Sequence, residues 1–137
     1  MPAFIEEKQI TVFRLGELLN GKAEFALLFG SITNDNFNIQ SDIDIAVYFN
    51  SEFNTKEKEA GIKREIINSF NRDIDLIILN DADIIVTMQV LANGNIIINE
   101  NNSNFVLFKA KKISEYLDFK ISRKIIEDNM LNGRIYA

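Results

Sequence analysis

The sequence predicts an α/β or α+β fold, a short β-sheet with helices packed on it. Three observations carry that prediction. Some stretches alternate strictly between polar and apolar residues, others repeat apolar residues three and four apart, and the two kinds interleave along 137 residues. With 47% hydrophobic residues, that length suits one domain, 1–137, able to bury its own core without disulfides or structural metal.

A first helix is expected over residues 6–20, where Val12, Leu15 and Leu19 recur on one face and Gly21 is placed to end it. Residues 25–29 read as a buried strand that runs straight into Gly30-Ser31. The polar stretch 33–41 holds four turn-favouring Asn or Asp residues and reads as a loop. Residues 42–49 alternate, with Asp42, Asp44, Ala46 and Tyr48 on one face and Ile43, Ile45, Val47 and Phe49 on the other, as a strand with one apolar face does.

Asn54 with Glu57 three residues later resembles a capping box, and Ile62, Ile66 and Phe70 continue a helix toward Asn71. Residues 74–79 alternate again, placing Asp73, Asp75, Ile77 and Leu79 opposite Ile74, Leu76 and Ile78. Asp81 is expected to cap the following helix and Gly94 to end it. A short strand over 96–99 then leads through an Asn-rich tract into a long last helix. There Val106, Ala110, Ile113, Leu117, Ile121 and Ile125 form a stripe expected to pack against the sheet, and Phe108 and Phe119 are expected in the core. The cluster Lys109-Ala110-Lys111-Lys112 reads as a solvated helix face.

Composition narrows the chemistry. The chain has neither Cys nor His, so thiolate and imidazole chemistry are unavailable and catalysis must rest on carboxylates, hydroxyls and bound metal. A net charge of -5 argues against stable nucleic-acid binding, which needs clustered Lys and Arg against phosphates. Neither a signal-like start nor an apolar run near the ~18 residues of a membrane span is present, so a cytoplasmic location is expected.

Two acids at i and i+2 of a strand share a face, their side chains about 7 Å apart at the base and able to converge on a hard divalent cation. Asp42/Asp44, Asp73/Asp75 and Asp81/Asp83 all have this spacing, and any of them can equally be solvated acids on an exposed face. The surroundings single out the first pair. A buried strand ends in Gly30-Ser31, the only Gly-Ser pair in the chain, and ten residues later Asp42-Ile43-Asp44 opens the next strand. Glycine at a strand end lets backbone amides approach phosphate oxygens, and the adjacent serine adds a hydroxyl donor.

The run Leu28-Phe29-Gly30-Ser31, ten residues, then Ser41-Asp42-Ile43-Asp44-Ile45-Ala46-Val47 resembles the signature of the polymerase-beta-like nucleotidyltransferase superfamily, in its minimal (MNT) branch. The resemblance continues through residues 75–82 and Gly94 to the run Tyr116-Leu117-Asp118-Phe119-Lys120 and Arg123. It implies the nucleotidyltransferase fold, a short mixed sheet with a long C-terminal helix. It also implies that Gly30 and Ser31 bind the phosphates of a nucleotide and that Asp42 and Asp44 ligate magnesium, two ions being expected. A third aspartate on the next strand completes such sites. Ile74-Asp75-Leu76 gives the hydrophobic setting that this residue takes, so Asp75 is expected to be both metal ligand and catalytic residue, with Asp73 on the same face as its rival. One departure is the stretch Ile32-Thr33-Asn34-Asp35, where family members often carry an arginine.

Stand-alone members of this branch are typically antitoxins paired with a HEPN ribonuclease toxin. The resemblance therefore implies transfer of AMP from ATP to a tyrosine hydroxyl of such a toxin, with Lys120 and Arg123 as candidate partner contacts. Two alternatives stay open: nucleotidyl transfer to a small molecule, as in aminoglycoside-modifying relatives, and a non-catalytic antitoxin that acts by contact alone.

Overall fold

The computed structural model describes residues 3–30 and 42–132. Its elements follow in the order α1 (Ala3–Leu19), β1 (Ala23–Phe29), β2 (Ile43–Phe49), α2 (Lys56–Phe70), β3 (Ile74–Ile78), α3 (Ile84–Asn93), β4 (Asn95–Asn99) and α4 (Asn102–Leu131). The strands form one mixed sheet in the order β3-β2-β1-β4. β1 pairs antiparallel with both β2 and β4, while β2 and β3 run parallel. Parallel neighbours need a crossover, and α2 supplies it.

Helices cover both faces of the sheet. On one, Leu15 and Leu19 of α1 and Ile62 and Ile66 of α2 pack on Leu28, Ile43, Ile45, Val47 and Phe49. On the other, Val90 of α3 and Phe105 of α4 pack on Phe25, Leu27, Ala46 and Leu79. The alternation of β2 is thus a division between two cores, and its second face is polar only at Asp44. Asn80 extends the β2 edge beyond β3: its amide donates to the Phe49 carbonyl at 3.0 Å and accepts from the Phe49 N–H at 2.8 Å.

The helix caps lie close to the expected positions, with two corrections. Thr55, not Asn54, caps α2, accepting from the Lys58 N–H at 3.3 Å. Asp83, not Asp81, caps α3, accepting from the Ile85 N–H at 2.6 Å. In both cases a second side chain of the right chemistry stands within two residues, and only the backbone turn decides which one meets the free N–H groups. α2 ends at Asn71 in the left-handed region (φ 50), where Asn is among the few side chains tolerated.

The larger correction concerns α4. Only its first turns are anchored, through an aromatic cluster in which Phe25 stacks on Tyr48 (4.9 Å between centroids) and meets Phe105 (5.0 Å) and Phe108 (5.1 Å). The stripe expected to pack on the sheet is exposed instead: Val106, Ile113, Leu117, Ile121 and Ile125 all face solvent, as does Phe119. A helical period identifies an apolar face but not what that face meets. At ~1.5 Å per residue, thirty residues outrun a sheet of five- to seven-residue strands. Among the described residues no helix is long and apolar enough to cross a membrane.

Candidate active site

Because β1 opposes β2 and β3 follows it, the end of β1 and the starts of β2 and β3 meet at one edge of the sheet. Gly30, Asp42, Asp44 and Asp75 all lie at this edge. Phe29 is paired with Asp44, and Asp44 stands in register with Asp75 on the neighbouring strand, about 4.8 Å away across the ladder. Residues in register on adjacent strands point to the same face, so these two carboxylates face the same side.

Gly30 is required here for two reasons. Its φ of +77° lies in the left-handed region, and a Cβ at this position would collide with the Asp44 carboxylate. The Asp44 side chain therefore lies directly over the Gly30 backbone, which ties the end of β1 to the carboxylates of β2.

The carboxyl pKa of Asp44 is pushed above the ordinary value, first by partial burial and then by the charges of Asp75 and Asp42. Burial and the neighbouring charges thus both disfavour the ionised form of Asp44 in the absence of a cation. An all-carboxylate donor set suits a hard divalent cation such as magnesium, and Asp42, Asp44 and Asp75 are the residues that would hold it. Among the described residues no three acids already form a cation cage.

Asp73 occupies a different place. It precedes β3, its carbonyl accepts the Ile43 N–H at 3.0 Å, and it is not among the charges that raise Asp44. Ser31 and the stretch 32–35 lie outside the described residues.

Next to Gly30 a cavity of about 490 Å³ opens between the sheet and α3, lined by Phe29, Gly30, Ile77, Val86, Gln89 and Asn93 among others. Phe29 and Ile77 form an apolar floor on the face that carries Asp44, and Gln89 and Asn93 supply amides from the helix. The sequence reading did not single out these two residues. Their i, i+4 spacing puts both on one side of α3, but only the sheet order brings that side to Gly30.

These features are those of a nucleotidyl-transfer enzyme: a glycine turn against paired strand carboxylates, with a partly apolar cavity beside it. Residues 15–103 match the family described as Polymerase beta, Nucleotidyltransferase, and the chain belongs to that family. No curated protein matches it. Among solved structures, the toxin–antitoxin MntA–HepT is similar at 25% identity and a TM-score of 0.70, over 90% of this chain and 98% of the other. A toxin–antitoxin structure with AMP-PNP is similar at 25% identity and a TM-score of 0.73, over 88% and 98%. The MNT antitoxin in complex with the tri-AMPylated HEPN toxin of Shewanella oneidensis shares the fold at 24% identity and a TM-score of 0.71, over 90% and 98%.

Proposed function

We propose that this chain transfers AMP from ATP to a tyrosine hydroxyl of a cognate HEPN ribonuclease toxin and thereby silences it. The observation that carries the reading is the register of Asp44 with Asp75 beside the Gly30 turn. The similarity to a toxin–antitoxin pair and to a complex with an ATP analogue supports both the partner class and the nucleotide.

In this reading Gly30 and Ser31 hold the triphosphate, and the cavity floored by Phe29 and Ile77 takes the base, with Gln89 and Asn93 as hydrogen-bonding partners. Asp42, Asp44 and Asp75 hold magnesium, two ions by analogy with the superfamily, which when bound neutralises the phosphates and stabilises the departing pyrophosphate. The acceptor oxygen attacks the α-phosphorus in line, a new P–O bond forms, and the bond to the bridging oxygen breaks with pyrophosphate leaving. Asp75, exposed at the start of β3, orients the acceptor hydroxyl and accepts its proton, a task for a carboxylate in a chain without histidine.

The test incubates the chain with magnesium, ATP and a HEPN-type partner, sought as a small helical protein in the neighbouring reading frame. The expected result is a toxin heavier by whole AMP units, lost with Asp42→Ala or Asp44→Ala. An intact toxin of unchanged mass would reject the transfer reading. If Asp42→Asn/Asp44→Asn still protected cells, neutralisation by contact would replace it.

A further inference from the structure

We propose that the groove between α3 and the unanchored part of α4 is a docking site for one amphipathic helix of another protein, acidic along one edge. It would engage the toxin through residues outside the transfer site. The proposal rests on the partner class inferred above.

The first observation is exposure. Val106, Ile113, Leu117, Ile121 and Ile125 lie along one side of α4 and are each 38–59% exposed, an apolar strip where a monomer surface ordinarily scatters such residues singly.

The second observation is shape. Ile113, Leu117, Ile121 and Ile125 follow one another at i+4 and form a single ridge, the arrangement that packs into the groove of another helix. Beside the ridge, α4 and Ile85 of α3 bound a cavity of about 780 Å³, where Leu117, Phe119 and Ile121 are flanked by charged side chains. Apolar anchors with a charged border are the lining used in the helix-in-groove mode of recognition.

Charge identifies the occupant. α4 carries six basic and four acidic side chains, +2, in a chain of net -5, so the remainder holds -7. Lys120, Arg123 and Lys124 line the groove together with Glu127 and Asp128, and Arg123 is paired with Glu127, which leaves a small positive excess along it; Asp118 stands on the opposite edge of the ridge. A second copy joined through the ridge by a two-fold axis would pass that axis between Leu117 and Ile121. It would then set Lys120 against Lys120 and Asp118 against Asp118, since residues nearest such an axis meet their own images. Like charges in contact disfavour that pairing, and a different protein with Asp or Glu opposite Lys120 and Lys124 satisfies the groove.

The groove shares no residue with the Gly30 cavity: it meets α3 at Ile85, whereas the cavity is lined by Val86, Gln89 and Asn93. Docking and nucleotide binding therefore separate experimentally.

The test uses the full chain bearing Asp42→Asn/Asp44→Asn, so that binding to the unmodified HEPN-type partner of the transfer assay is read apart from transfer. Adding Ile121→Asp, at an exposed position, should weaken toxin binding at least 100-fold by calorimetry. Lys120→Glu/Lys124→Glu should weaken it about 10-fold at low salt and flatten its salt dependence. Neither change should alter affinity for a fluorescent ATP analogue in the otherwise unsubstituted chain. Undiminished toxin binding by the Ile121→Asp chain would overturn the proposal. So would a micromolar dimer of the chain alone that Ile121→Asp dissolves, or capture of the chain by anionic vesicles. If docking behaves as expected while the unsubstituted chain transfers no AMP, the surface stands and the catalytic reading falls.

Discussion

Gly30→Ala gives the sharpest test of how the transfer site is built. The new methyl group meets two separate costs. An alanine forced to φ near +77° pays about 1–2 kcal/mol for the left-handed conformation. Its Cβ would also occupy the space of the Asp44 carboxylate, and driving that side chain off its rotamer costs about 0.5–1.5 kcal/mol more. The expected sum, roughly 2–3 kcal/mol, corresponds to a melting temperature lower by roughly 6–15 °C for a chain of this size. Displacing a ligand carboxylate by about an ångström should reduce nucleotidyl transfer about 100-fold. The two costs separate in a double-mutant cycle: in an Asp44→Ala background the backbone cost remains and the steric one disappears. Thermal and urea denaturation of the four proteins should therefore give a coupling energy of about 0.5–1.5 kcal/mol. A coupling of zero, or transfer by Gly30→Ala within threefold of the unsubstituted chain, would refute the close approach of Asp44 to the turn.

Asp44→Asn should abolish transfer yet slightly raise the melting temperature of the ligand-free protein, since it removes a carboxylate that burial, Asp75 and Asp42 all disfavour in its charged form. A lower melting temperature would contradict that account. Glu59 is buried with an oxygen that has no hydrogen-bond partner, and burial, then Asp81, push its carboxyl pKa up against a smaller opposing effect of Lys56. A raised folded pKa gives stability that is full below the unfolded value of about 4.3 and is lost as pH rises through the folded one. Glu59→Gln should accordingly be more stable than the unsubstituted chain at pH 7, with the difference vanishing toward pH 4; urea titrations across that window would show a constant difference if the reasoning fails. Asn80→Ala removes both bonds to Phe49 and should cost about 2 kcal/mol in the same assay. Gln89→Ala should raise KM for ATP severalfold with kcat little changed, and an unaltered KM would remove Gln89 from the base cavity.

The parts of this molecule legible in the sequence are those encoded by local period. Strand alternation put Asp42 with Asp44 and Asp73 with Asp75, because side-chain direction in a strand depends only on position parity. What parity cannot supply is which strand lies beside which. The in-register meeting of Asp44 with Asp75 is a product of parallel pairing, and the separation of Asp73 from Asp44 follows from the same register. Gln89 and Asn93 escaped notice for a similar reason: amides on a helix acquire meaning only when the sheet order brings the helix beside Gly30. The caps at Thr55 and Asp83 show the limit of local chemistry where several suitable side chains crowd one turn. The stripe of α4 was legible as an apolar face and misassigned as core, since periodicity is blind to whether the surface that covers a face belongs to the same chain.

The crossover through α2 has a consequence for how the molecule acquires its site. Asp44 and Asp75 are separated by a whole helix and meet only once β3 has docked on β2. A hairpin of β1 and β2 could form early, because its contacts are closer in sequence, yet it would carry only two of the three acids. Magnesium and ATP would thus recognise the finished sheet and not its precursors, so their binding free energy would add to the stability of the complete fold through mass action. The chain would then be most resistant to unfolding in the state in which it is charged with substrate.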